Sequence, residues 1–108
     1  MIKPKDMKMI DQIKNSLKAA YNPSRLFIFG SRSNGTATKN SDYDFVMVVS
    51  DKKKSSLDEM TNARSLIFKK HNVLTDVFIY SVKEFEEWKD EFNSVPETAL
   101  NLGKELEL

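Results

Sequence analysis

From about residue 4 to residue 20, apolar side chains recur at three- and four-residue spacing, which puts Met7, Ile10, Ile13, Leu17 and Ala20 on one helical face. Pro4 suits a first turn and Asn22-Pro23 a stop, so this stretch predicts an amphipathic helix whose Met residues pack into a core. The pattern then tightens. Arg25-Leu26-Phe27-Ile28-Phe29 is an almost continuous apolar run closed by Gly30, as expected of a short strand buried on both faces. Small polar residues follow up to Ser41, with Gly35 and Asn40 as turn formers, and predict a loop or one short helical turn. Asp44-Phe45-Val46-Met47-Val48-Val49 is the clearest strand, β-branched and apolar at both parities.

After the run Asp51-Lys52-Lys53-Lys54, read as a solvated loop, Ser56 stands three residues before Glu59 and caps a helix reaching about Lys70. Leu57, Met60, Ala63 or Arg64, Ile67 and Phe68 would form its apolar face. A third strand, Val73 to Tyr80, carries one charge, Asp76, in its interior. Two more capping boxes, Ser81 with Glu84 and Ser94 with Glu97, open helices expected to bury Phe85, Trp88 and Phe92, then Ala99, Leu100 and Leu102. The order αβ-loop-βαβαα, without repeat or linker, predicts a single domain over 1–108 of α/β (α+β) class. Its small sheet would be covered by helices on one side.

Composition narrows the chemistry. With 17 basic and 16 acidic side chains and a formal net charge of +1, no large field of one sign draws the chain to a membrane or to long nucleic acid. The absence of cysteine and the single histidine remove thiolate nucleophiles, cysteine-rich zinc sites and histidine triads. No signal-peptide pattern opens the sequence, and a cytoplasmic setting is expected. What remains is carboxylate and hydroxyl chemistry.

The segment Gly30-Ser31-Arg32-Ser33-Asn34-Gly35 through Asp42-Tyr43-Asp44 concentrates it. A glycine directly after a buried strand permits a sharp turn, and the hydroxyl and amide of Ser31 at a helix start suit a phosphate. Asp42 and Asp44, two apart at a strand entrance, send both carboxylates to one face about 6.5 to 7 Å apart. Asp76 needs a cation or donors beside it, and a neighbouring strand about 4.8 Å away would bring it to the first two. Three carboxylates without nitrogen or sulfur ligands select hard ions, Mg²⁺ or Mn²⁺, and such ions serve phosphoryl and nucleotidyl transfer. A P-loop is excluded, since Thr36-Ala37 stands where Lys-Ser/Thr belongs.

Gly30-Ser31, a ten-residue spacer and Asp42-Tyr43-Asp44 resemble the DNA polymerase beta-like nucleotidyltransferase superfamily, and its minimal MNT-type members in particular. Thr75 to Ser81 is similar to that family's third-carboxylate strand, and Ala99 to Leu106 to its closing helix. The resemblance implies a polymerase beta palm-like fold and an Mg²⁺-dependent enzyme that moves a nucleoside monophosphate, AMP from ATP, onto a hydroxyl acceptor. It implies Gly30 and Ser31 on the triphosphate with Arg32 beside them, Asp42 and Asp44 as metal ligands, and Asp76 as third ligand and proton acceptor. The alternative reading of Arg32 is a solvated loop arginine. Asn34 and Tyr43 depart from the basic and aliphatic residues many relatives carry, which bears on substrate preference. The same resemblance implies a helical HEPN-type partner, as in toxin-antitoxin pairs, or self-association. A catalytically silent nucleotide-binding antitoxin is the alternative.

Overall fold

A computed structural model describes residues 1–50 and 56–108. The lysine run and the Ser56 cap fall outside what can be described. The elements run α1 (Pro4–Tyr21), β1 (Arg25–Phe29), α2 (Ser31–Asn34), β2 (Tyr43–Val49), α3 (Ser56–His71), β3 (Thr75–Ser81), α4 (Val82–Trp88), α5 (Val95–Leu102) and β4 (Lys104–Glu105). The predicted order holds, with the short helical turn in the loop as α2. The C-terminal segment differs: its helix ends at Leu102, and residues 104–105 add a strand where a helix was expected.

The four strands form one mixed sheet in the order β3-β2-β1-β4. β1 is antiparallel to β2, with Phe29 opposite Asp44, and β2 is parallel to β3, with Asp44 opposite Asp76. A parallel pair needs a crossover, which α3 supplies. β4 pairs antiparallel with β1 and is tied to it by Arg25, whose Nε and Nη2 donate to the Glu105 carboxylate at 2.9 and 2.8 Å.

Helices cover both sides of the sheet, not one. Strand periodicity divides the core in two. Leu26, Ile28, Phe45, Met47, Val77 and Ile79 face α1 and α3, which bury Ile10, Ile13, Leu17, Ala63 and Ile67 against them. The opposite face carries Phe27, Val46 and Val48 under Phe85 of α4 and Ala99 of α5, with Phe27 and Phe85 stacked at 5.5 Å. β2 is buried on both faces as its composition predicts, whereas β3 is an edge strand and alternates.

Local signals explain the helix ends. Asn22 closes α1 in the left-handed region at φ 48°, a conformation that asparagine tolerates. Ser81 and Glu84 form a full capping box: the Glu84 amide donates to Ser81 Oγ at 3.1 Å, and the Ser81 amide to Glu84 Oε1 at 2.9 Å. At α5 only half of the box forms. Ser94 Oγ accepts from the Glu97 amide, while the Glu97 carboxylate accepts from the Asn93 amide and Asn101 Nδ2.

Several expected core positions lie outside the core. Met7 and Ala20 are exposed on α1, as are Leu57 and Phe68 on α3. Trp88 is half exposed, Phe92 is 85% exposed, and Leu100 and Leu102 also face outward, so of that group only Phe85 and Ala99 are buried. α4 ends at Trp88, so Phe92 sits in the connection to α5, where helical spacing no longer aims it at the sheet.

Candidate active site

Gly30 sits between β1 and α2 with φ 76°, a left-handed conformation that glycine adopts without the clash a side chain brings. It is also needed for space: a Cβ there would lie 2.5 Å from Asp44 Oδ2. The residue that opens the loop is therefore what lets the Asp44 carboxylate approach the backbone. Ser31 begins α2 and is partly exposed, with its hydroxyl and amide at a helix start where amides lack intrahelical partners.

Asp44 and Asp76 are direct register partners on parallel neighbouring strands, so both lie on the same face, and Asp42 stands in the loop just before β2, near enough for its charge to act on Asp44. All three are partly exposed. This is the face α4 and α5 cover only toward the other end, over Val46, Val48 and Phe27. Asp44 feels its neighbours: partial burial first, then the charges of Asp76 and Asp42, push its pKa up from 3.8 to about 6. Among the described residues the cation that contacts this set is Arg64 of α3, whose Nη1 reaches Asp76 Oδ1 at 3.3 Å.

Two expectations change. Asp76 is not enclosed among apolar neighbours, because β3 is an edge strand and its side chain retains 35% exposure, and the positive group it requires is Arg64. Nor do the carboxylates converge fully: among the described residues, no group of three or more His, Cys, Asp or Glu could hold a metal ion as it stands. The chemistry of the set still fits a hard divalent ion, being all oxygen, with Asp44 and Asp76 side by side on one face.

Arg32 is engaged by groups of the protein itself. Its Nε and Nη2 donate to the Ser41 carbonyl at 3.1 and 2.7 Å, its Nη1 to Asp6 Oδ1 at 3.0 Å, and its guanidinium lies 4.4 Å from the Tyr43 ring centroid. The Tyr43 hydroxyl donates to the same Asp6 oxygen at 3.1 Å. This cluster is buried, with side-chain exposures of 12% for Arg32 and 4% for Asp6. It ties α1 to both ends of the loop between Ser31 and Asp42.

Sequence reasoning missed Asp6 and Arg64. The signal for Asp6 was present: Asp6, Ile10, Ile13 and Leu17 fall on one stripe of α1, so a carboxylate occupies an apolar position. Arg64 gave no such signal, because an arginine next to a buried Ala63 on an amphipathic helix is ordinary.

A mixed sheet carrying paired carboxylates beside a glycine-serine turn defines a polymerase beta-like nucleotidyltransferase fold. The family model described as "Nucleotidyltransferase domain" matches residues 10–107, and the chain belongs to that family. Solved structures agree on the fold. A Sulfolobus solfataricus protein assigned to the nucleotidyltransferases is 22% identical, with TM-score 0.55, over 80% of this chain and 76% of that one. A toxin-antitoxin structure with AMP-PNP is 17% identical, with TM-score 0.56, over 93% and 70%. A mutant of the toxin-antitoxin MntA-HpeT is 15% identical, with TM-score 0.55 and the same coverage. No curated protein matches the chain in sequence. Among the described residues, no helix is long and apolar enough to cross a membrane.

Proposed function

We propose that the chain is a Mg²⁺-dependent nucleotidyltransferase that moves AMP from ATP to a hydroxyl on a partner protein. One observation carries this reading: Asp44 stands opposite Phe29 on one side and Asp76 on the other, so the Asp44 carboxylate borders the Gly30-Ser31 turn and the Asp76 carboxylate is its neighbour one strand further out. Asp42, Asp44 and Asp76 would hold the ion, with Mn²⁺ able to replace Mg²⁺. When bound, it supplies positive charge to the triphosphate and to the leaving pyrophosphate. Gly30 leaves the space, and Ser31 offers its hydroxyl and amide to the phosphates. Arg32 serves the nucleotide by holding this loop in place. In the transfer, the acceptor oxygen bonds to the α-phosphorus, the bond from that phosphorus to the bridging oxygen breaks, and pyrophosphate leaves. The acceptor proton passes to Asp76.

Likeness to toxin-antitoxin structures supports a helical HEPN-type partner as the source of the acceptor, with a second copy of the chain as the other arrangement. A second reading, a silent nucleotide-binding antitoxin, is favoured by the Arg64 contact that occupies Asp76. Incubation with ATP labelled on the α-phosphate, Mg²⁺ and candidate partners, with mass spectrometry to locate added AMP, separates the two. Transfer that disappears in the Asp42→Asn/Asp44→Asn variant supports the enzyme. ATP binding without transfer to any acceptor, including the chain itself, supports the silent subunit.

A further inference from the structure

The third carboxylate of the site already has a cation beside it, and that cation belongs to the chain. Arg64 stands on α3, the crossover that links the two acidic strands, one residue after the buried Ala63. Helical geometry therefore fixes its backbone while its side chain, 48% exposed, reaches over the edge strand to Asp76 Oδ1 at 3.3 Å. Leu57, Met60, Thr61 and Val77 line the same shallow hollow with Arg64 and Asp76. The pair is half exposed, so its own contribution to stability is small.

An arginine on a ligand oxygen opposes a divalent ion twice. It engages the lone pairs the ion needs, and it places a like charge near the ion's position. Among the described residues the three carboxylates do not yet enclose an ion, and the one with a cationic partner is Asp76. We propose that Arg64 is a built-in competitor for the divalent ion at Asp76, so that completing the three-carboxylate site requires the arginine to release that side chain. This rests on the metal-site reading above. Arg64 acts through Asp76 and is a positioning residue, holding the third ligand in the metal-free chain and lowering affinity for the ion.

The test is Mn²⁺ binding, read from the electron paramagnetic resonance of the free ion, on the parent chain, Arg64→Gln, Asp76→Asn and the double variant. Arg64 is exposed and its replacement is not expected to disturb folding. Arg64→Gln should bind Mn²⁺ about two- to fivefold more tightly, the fold-change equivalent to an exposed ion pair. In the Asp76→Asn background the same replacement should have little effect. An Arg64→Gln variant with unchanged or weaker affinity, in a parent that binds Mn²⁺, overturns the competition and leaves the metal site standing. An equal gain with and without the Asp76 carboxylate also overturns it, because the arginine would then act only through its distant charge. Failure of every variant to bind Mn²⁺ overturns both the competition and the metal-site reading.

Discussion

Tyr43 and Asp44 are adjacent in sequence and opposite in circumstance. The strand pleat sends Tyr43 toward α1, into a buried cluster where Arg32 and the phenol both donate to Asp6 Oδ1, while Asp6 Oδ2 is buried without a hydrogen-bond partner among the described residues. It sends Asp44 to the other face, where the nearest charges, Asp76 and Asp42, share its sign. One side of β2 thus holds a charge pair away from water, and the other holds like charges at its edge, where Asp76 alone of the three is paired, among the described residues, to the half-exposed Arg64. The matched side stabilises the chain. The unmatched side costs stability and leaves a site that gains energy when something positive arrives.

The largest expected effect lies on the matched side. Arg32→Met leaves the Asp6 carboxylate buried without its cation and should lower folding stability by about 3 to 5 kcal/mol in denaturant titration. Asp6→Leu combined with Arg32→Met removes both charges and should recover most of the loss. If Arg32→Met kept its stability and lost only nucleotide affinity, the arginine would belong to the phosphate and the contrast between the two faces would fail.

That contrast marks where sequence reasoning reached and where it stopped. Strands β1 and β2, the α1 stripe and the Ser81 cap were legible because each depends on residues near in sequence. The adjacency of Asp44 and Asp76 was readable as a condition, that β3 lie beside β2, but the parallel register that meets it is a tertiary fact. The Asp6 partner of Arg32 was not legible, because the loop sequence says nothing of a residue 26 positions away. Phe92 was read as core because helical spacing was extended past the end of α4, and Trp88, the last residue of that helix, is half exposed all the same.

Next in size is the catalytic effect of the unmatched side. Asp76→Asn should cut transfer by about a hundredfold, the lower range for losing a general base. Stability should move by no more than about 1 kcal/mol, because the ion pair it loses with Arg64 is half exposed and mutual repulsion with Asp44 is relieved at the same time. A strongly destabilised Asp76→Asn that still transferred nucleotide would place Asp76 among the structural charges and erase the difference between the faces.

A smaller effect follows from pH. Because folding raises the Asp44 pKa from 3.8 to about 6, its charged form is disfavoured in the native chain, so the penalty is full above about pH 6 and fades as pH falls toward 4. The shift corresponds to at most about 3 kcal/mol, and partial exposure reduces this to on the order of 1 kcal/mol. In EDTA, Asp44→Asn should therefore melt higher than the parent at pH 7 and equally near pH 4. A gap independent of pH would mean that Asp44 is not strained by its neighbours.

The smallest effect tests whether the contrast extends to the far end of the site face, where α4 and α5 lie. Phe85 is buried there and stacked on Phe27, while Phe92, seven residues later, is 85% exposed. An exposed side chain has already lost little water contact on folding, so removing it forfeits little burial energy. Phe92→Ala should change stability by no more than about 0.5 kcal/mol, as surface replacements do. Thermal melting of the isolated chain measures this directly. A loss several times larger would mean that Phe92 packs inward in solution and that α4 and α5 cover more of the site face, bringing a second matched region up against the carboxylates.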